Sequence, residues 1–464
     1  MLNLKYLLLY FGLATKIVVG QTVVVDSLFF EETQDYRTYK VWLPIDYDSS
    51  QIYQTVYCFD GDFLFNILAA NIEIYSDPFI GAMPPTILVG IFFDQRNDDM
   101  GIEWNEGELS ERGVAFMRLV EEKIFSAVSD SYNVSDYKAV VGHSNSTTFA
   151  HFFLEGKNPL FHGYLTLSQF ELSTDVLRYS KLKKELKTPI DMVTVTGGLD
   201  AAYRVESGRV LDELLDSLAI TNLTHTHLMI PDANHLTIVP QGIPLGLEEL
   251  YKSYGERIQA EDLIEAGCLK FQTPIEVVDS INNKRIDKYG IDLTYSVEDL
   301  DLLFELFVAE KDSVGVSQAT SIYADLLQDS TEYFYEAQCL EMMGAYHSAE
   351  KSYLKHLGYS GYIGYWSYVR LVWLYANKLN DDVAAVEWCG AGLKKLEDDR
   401  FINELVRIEG KYPESINSCI ATLEEYVAVA SSEELQLAVQ ASLAKLYRKA
   451  GDDERALYYE NLIR

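Results

Sequence analysis

Basic residues are scarce in this chain. Thirty-eight lysines and arginines stand against 71 aspartates and glutamates, a formal net charge of −33 over 464 residues. Phosphate backbones require a positive footprint, so this balance excludes nucleic acid as a partner and argues against docking on anionic lipid. It implies a solvated, self-repelling surface that mildly repels free anionic substrates unless the pocket is locally basic. Cysteine is also sparse. Cys58, Cys268, Cys339, Cys389 and Cys419 are odd in number and scattered, with no C-x-x-C. They form neither a disulfide framework nor a zinc site and read as small buried hydrophobes. No metal or other cofactor is implied. Long apolar runs are missing beyond the N-terminus, so no membrane insertion is expected.

What is present is a large core. Apolar residues make up 48% of the chain and charged ones 23%, with 32 tyrosines, and the length fits about two to four domains. Residues 1–20 have the layout of a secretory signal: Lys5, then apolar Tyr6 to Ala14, then Val18-Val19-Gly20 before Gln21. Lys16 interrupts the apolar stretch. The expectation is export, periplasmic or secreted; the alternative is a first strand running on from the start into Thr22-Val23-Val24-Val25.

From residue 21 to 255 short β-rich runs alternate with helical stretches. Leu28-Phe29-Phe30 and Thr38 to Pro44 alternate as a hairpin does, and Thr55 to Phe59 is a buried-type strand ending at Asp60-Gly61-Asp62. Strand-like runs recur at Thr86 to Ile91, Ala139 to Val141, Tyr164 to Leu167, Met192 to Val195 and His227 to Ile230, with an amphipathic helix over 111–128. This alternation predicts an α/β fold, a mostly parallel sheet with helices on both faces. Such sheets bind ligands beyond the carboxyl ends of their strands. Residues 256–315 form a boundary region without a clear assignment. From 316 to 464 the pattern is all-α. Ala337, Leu340, Gly344, Ala345, Tyr346, Ala349 and Tyr353 resemble a tetratricopeptide repeat. Leu371, Tyr375, Ala384, Trp388 and Ala391 echo it, as do Ala444, Tyr447, Gly451 and Ala456. The alternative is an irregular helical bundle.

Chemistry concentrates at Gly142-His143-Ser144-Asn145-Ser146, which follows Ala139-Val140-Val141 and precedes the helical run through Phe149, Ala150, Phe152 and Phe153. Strand, sharp turn, helix and a serine at the apex make the nucleophile elbow of an α/β-hydrolase. Ser146 stands where that pattern has glycine. Serine needs a base, and the base needs an orienting carboxylate. In this fold they follow in the order Ser, acid, His. Asp200 comes after the strand Met192 to Val195, with Glu206 as a fallback acid, and His235 follows the strand ending at Ile230. Of the eight histidines, only His235 combines the right order with a post-strand loop. His225-x-His227 reads as a surface strand rather than a metal pair. The oxyanion hole is expected from the backbone N–H groups of Asn145 and of Asp62 in the Gly61-Asp62 loop.

Together these segments resemble the esterase D-like branch of the α/β-hydrolases, which includes ferric-enterobactin esterases, S-formylglutathione hydrolases, and feruloyl and acetyl-xylan esterases. The resemblance covers residues 22–250. It is carried by Val41-Trp42-Leu43-Pro44, Phe59-Asp60-Gly61-Asp62, Ile87 to Ile91 followed by Arg96, Gly142-His143-Ser144, and Asn234 to Pro240. It implies a triad with Ser144 and His235, a small-molecule ester substrate, and a helical-repeat tail such as some bacterial members carry. Asp94 to Glu108, with Arg96 and Trp104, is expected to border the site. The competing reading is an idle hydrolase platform whose tail docks a protein partner; a third is a purely structural or self-associating tail.

Overall fold

The computed structural model describes residues 22–463 apart from 78–79, 155–158, 170–178, 180–185, 256–257, 292, 294, 328–330 and 360–363. The expected signal segment 1–20 lies outside the described residues. Two units emerge. One comprises residues up to 257 together with 279–298; the other comprises 258–278 and 299–464.

The first unit is built on an eight-stranded sheet. Its strands are β1 (Thr22–Phe30), β2 (Asp35–Leu43), β3 (Tyr53–Cys58), β4 (Thr86–Ile91), β7 (Val134–His143), β8 (Gly163–Leu167), β9 (Ile190–Gly197) and β10 (Leu223–Ile230); β5 (Ile102–Glu103) and β6 (Glu108–Leu109) form a separate small hairpin. The order is β1-β2-β4-β3-β7-β8-β9-β10. β1 and β2 pair antiparallel, as do β2 and β4, and every pairing from β4 onward is parallel. The central strands are buried on both faces, which is why they read as continuous apolar runs rather than alternating ones. The α/β-hydrolase sheet expected from the sequence is therefore present.

The strand order reverses between β3 and β7: the chain leaves β3 toward β4 and leaves β7 toward β8. A crevice opens at such a switch point beyond the carboxyl ends of the strands. The segments there are Asp60-Gly61, opening helix α1 (Gly61–Tyr75), and Ser144, preceding the helix Asn145–Phe152. The amphipathic stretch after residue 110 is helical from Glu111 to Ser131 and passes through a π-helical turn at Leu119–Ile124. Its apolar side joins a core of Phe116, Val120, Phe149 and Phe153 on one face of the sheet. On the other face Leu64, Leu68, Ile238, Ile243 and Leu247 pack against Val141, Leu165 and Val193. Tyr289 and Ile291 also belong to this second core. Tyr289 packs against Tyr137 with ring centres 4.8 Å apart, and Lys288 bonds Asp191 at 2.6 Å. Part of the unassigned 256–315 stretch thus completes the α/β unit.

The second unit is helical. The helix Thr331–Met342 leads into Tyr346–Gly358 through a turn that includes a left-handed Gly344 (φ 79°). Ala337, Ala349, Tyr353, Leu371, Ala444, Tyr447 and Ala456 are buried. In the helix Asp382–Leu396 the inward face is Ala385, Val386, Cys389 and Leu393, one residue beyond the Ala384 and Trp388 positions of the repeat pattern. Cys58, Cys339, Cys389 and Cys419 are buried thiols. Among the described residues no helix is long and apolar enough to cross a membrane.

Candidate active site

The elbow is set by backbone geometry. Ser144 has φ 61° and ψ −127°, a strained conformation for a residue with a side chain. A Cβ on Gly142 would come within 2.8 Å of the Ser146 carbonyl oxygen, so strand and helix can cross here only with glycine at 142. Ser146, the departure from the usual pattern, is fully buried. Its hydroxyl accepts from the His143 amide (2.9 Å) and donates to the His143 carbonyl (3.0 Å). The extra side chain is folded back on the strand end, where it satisfies two backbone groups.

The parallel pairing of β9 with β10 sets Gly197 against Ile230 and so brings the loops after both strands together. The Gly198 amide donates to Ile230, and that of Leu199 to Ala233. A Cβ on Gly197 would lie 2.5 Å from the Ala233 carbonyl. This close packing places His235 Nδ1 3.1 Å from Asp200 Oδ2. The fallback acid goes elsewhere: Glu206 is exposed and chelates Arg209 one turn along its own helix.

Two residues missed in the sequence complete the cluster. Ser168, the residue after β8, is fully buried at φ 58° and is held by its amide to the Val195 carbonyl (2.9 Å). Its hydroxyl donates to Asp200 Oδ2 and lies 2.8 Å from His235 Nδ1. A carboxylate only accepts, and the Ser168 proton is committed to it. Nδ1 must therefore carry hydrogen, which leaves the Nε2 lone pair available to accept a proton. Arg204, in the first turn of the helix Ala202–Leu218, is buried and forks. One Nη donates to the Ser168 carbonyl (2.8 Å), the other to Ser144 Oγ (3.1 Å). Among the described residues Arg204, not His235, is the hydrogen-bond partner of the Ser144 hydroxyl. The sequence signal for both lay in topology: polar residues just past parallel strands that neighbour the elbow strand.

Burial pushes the Asp200 carboxyl up, but hydrogen bonds from Ser168, His235 and the Ala201 amide outweigh it and hold the group below the usual carboxylate range. His143 packs its ring 4.7 Å from that of His235 and donates from Nε2 to the His235 carbonyl (2.7 Å). Burial pushes its imidazole down to about 4, so it is neutral at pH 7.

Arg96 clamps the two sides of the crevice. It bonds both oxygens of Asp60 (2.5 and 2.7 Å) and the His143 carbonyl (3.1 Å). Asp60 sits in the left-handed region (φ 54°) just before α1. A single guanidinium thus ties the start of α1 to the elbow. Asn145 and Asp62 lie in the first turns of their helices, where amides lack intrahelical acceptors. The segment leading into Arg96 is held by buried Asp99, which accepts from the Asp94 and Gln95 amides and pairs with Arg37 and Arg112.

His225 and His227, expected on a surface strand, are instead largely covered, flanking Asp212 at 3.1 and 3.8 Å. Among the described residues no cluster of His, Cys, Asp and Glu is placed to hold a metal ion.

The fold recurs in solved structures. An uncharacterised protein from Capnocytophaga ochracea DSM 7271 aligns at TM-score 0.55 and 15% identity, over 77% of this chain and 100% of that one. An IroE-like serine hydrolase from Shewanella oneidensis aligns at TM-score 0.52 and 18% identity, over 66% of this chain and 100% of that one. At such identities the likeness is one of fold, the α/β-hydrolase fold. No family model matches the chain, and no curated protein matches it in sequence.

Proposed function

We propose that this protein is a serine carboxylic-ester hydrolase acting through an acyl-enzyme. One observation carries the reading: the His235 imidazole is fixed through Nδ1 by Asp200 and Ser168, with Nε2 not engaged by either, in the same crevice as a serine at the apex of a strained elbow. The Shewanella neighbour's description as a serine hydrolase agrees with it.

In this mechanism Ser144 Oγ attacks the acyl carbonyl as its proton passes to His235 Nε2, and Asp200 stabilises the imidazolium. The oxyanion is received by the Asn145 and Asp62 amides, where one such donor is worth about 10²–10³ in kcat. Collapse expels the alcohol, which takes the proton from His235. Water then repeats the sequence on the acyl-enzyme and restores the Ser144 hydroxyl. No metal or other cofactor has a part. The substrate class is a small-molecule ester, and the leader-like residues 1–20 support export to the periplasm or beyond.

A second reading makes the helical tail a docking module for a partner. It draws on a cavity of about 340 Å³ lined by Asn417, Ile420, Glu424, Tyr447, Asp452 and Arg455. A fluorophosphonate probe separates the two. Labelling at Ser144, with turnover of p-nitrophenyl acetate lost by about 10⁶ in Ser144→Ala, supports the hydrolase. Absence of labelling in folded protein supports the scaffold. Full turnover by the alanine variant ends the triad assignment.

A further inference from the structure

We infer that Arg204 is a further catalytic residue, a permanent cation that stabilises the charge on the Ser144 oxygen whenever that oxygen gains or leaves with an electron pair. The inference rests on the ester-hydrolase reading. Neither the elbow motif nor the Ser–acid–His order calls for an arginine here; its position comes from the structure.

Three observations support it. Arg204 is only 6% exposed, although an ordinary surface helix would leave such a side chain in water. Its guanidinium lies 5.4 Å from the centre of the Tyr203 ring, a cation–π contact that helps fix the plane of the fork. The fork reaches two sites at once, the Ser168 carbonyl at 2.8 Å and Ser144 Oγ at 3.1 Å. A lysine, a single point charge, does not hold both in one plane.

The chemical consequence follows from the direction of donation. Arginine supplies hydrogens and cannot take one, so the Ser144 proton is not spent on it and stays available to His235. During acylation the Oγ–H bond breaks toward His235 Nε2 while the Oγ–C bond forms. Between these events Oγ carries partial negative charge, and a hydrogen bond to a charged oxygen is roughly twice as strong as one to a neutral hydroxyl. In the acyl-enzyme Oγ is an ester oxygen, a poor acceptor, and the contact weakens. During deacylation the Oγ–C bond breaks, Oγ regains charge before His235 returns its proton, and the contact tightens again. Arg204 therefore favours both transition states over both ground states, which is the condition for raising kcat rather than lowering KM. It acts on the attacking and leaving oxygen; the Asn145 and Asp62 amides act on the carbonyl oxygen.

The test uses the full chain and a fluorophosphonate, whose reaction requires only attack by Oγ. Wild type and Ser144→Ala are run first. Labelling of the former and silence of the latter uphold the hydrolase reading; failure of wild type to label removes that reading and this inference with it. Arg204→Gln keeps a donor for the Ser168 carbonyl but removes the charge, and Arg204→Lys keeps the charge but loses the fork. The expected result is a labelling rate lower by about 10²-fold in the glutamine variant, the effect of losing one preorganised donor. The lysine variant should recover part of that loss. In single turnovers of p-nitrophenyl acetate, acylation and deacylation should both slow in Arg204→Gln while KM stays near the wild-type value. Wild-type labelling by Arg204→Gln overturns the inference. So do equal losses in the glutamine and lysine variants that track their melting temperatures, because these mark a packing role alone.

Discussion

Replacing Ser168 by alanine isolates what holds the His235 imidazole, the proposed base, in place. The serine hydroxyl donates to Asp200 and lies 2.8 Å from His235 Nδ1. Truncation leaves the acid–imidazole contact of 3.1 Å intact but removes one of the two groups fixing the ring. A hydrogen bond to a charged partner is worth about 1.5–3 kcal/mol. If that energy is expressed fully in the transition state, kcat falls by about 10- to 150-fold with KM nearly unchanged. Stability responds differently. Ser168 sits at φ 58°, where an L-residue is disfavoured by about 1–2 kcal/mol. Ser168→Gly relieves that strain and offsets much of the stability lost with the hydroxyl, whereas Ser168→Ala does not. The two variants should therefore share the same reduced kcat on p-nitrophenyl acetate yet differ in melting temperature, glycine above alanine. Wild-type kcat in either folded variant would refute the positioning role. A rate that follows melting temperature across the pair would refute it as well.

Three further outcomes are expected. Asp200→Asn should lower kcat by about 10⁴, because an amide can donate to Nδ1 and favours the wrong tautomer; a loss under tenfold in the kinetic assay would point to another acid. His143 is held neutral by burial with its imidazole pushed down to about 4. It costs nothing above the unfolded value near 6.5, and stability falls as pH drops from there toward 4, by up to about 3 kcal/mol. His225, also pushed down to about 4, adds in the same direction. Denaturant titrations at pH 7 and 4.5 should show a smaller drop for His143→Gln than for wild type, and equal drops would contradict this. In the helical unit buried Glu341 accepts from Tyr353 (2.9 Å) and pairs with Arg370. Glu341→Ala strands both partners and should destabilise by about 3 kcal/mol; an unchanged thermal transition would argue against the pair.

Most of the fold was legible because its signals are local. Both-face burial writes β4 and the Ala139–Val141 end of β7 as apolar runs, and an elbow needs a small residue before its serine in any sequence that makes one. Asp200 and His235, the proposed acid and base, stand out in the sequence because each follows a recognisable strand. Ser168 and Arg204 do not. Each is ordinary in its own segment, a serine after a strand and an arginine in a first helical turn. They matter only because β8 lies beside the elbow strand and the helix after β9 starts over it. Arg96 was noticed as part of a pattern, but its role as a clamp between Asp60 and the His143 carbonyl depends on a left-handed residue that composition does not reveal. Tyr289 and Ile291 fall in the unassigned stretch because their packing partners, among them Tyr137 and Tyr251, lie in other segments of the chain.

The Ser146 hydroxyl shows what the tight elbow crossing demands at its second small position. The demand is that no atom project outward, and a short polar group meets it by turning inward to close a ring with the residue before the nucleophile. Chains carrying serine there thus belong among candidate hydrolases, and motif scans that insist on glycine at both flanks discard them before their chemistry is ever assayed.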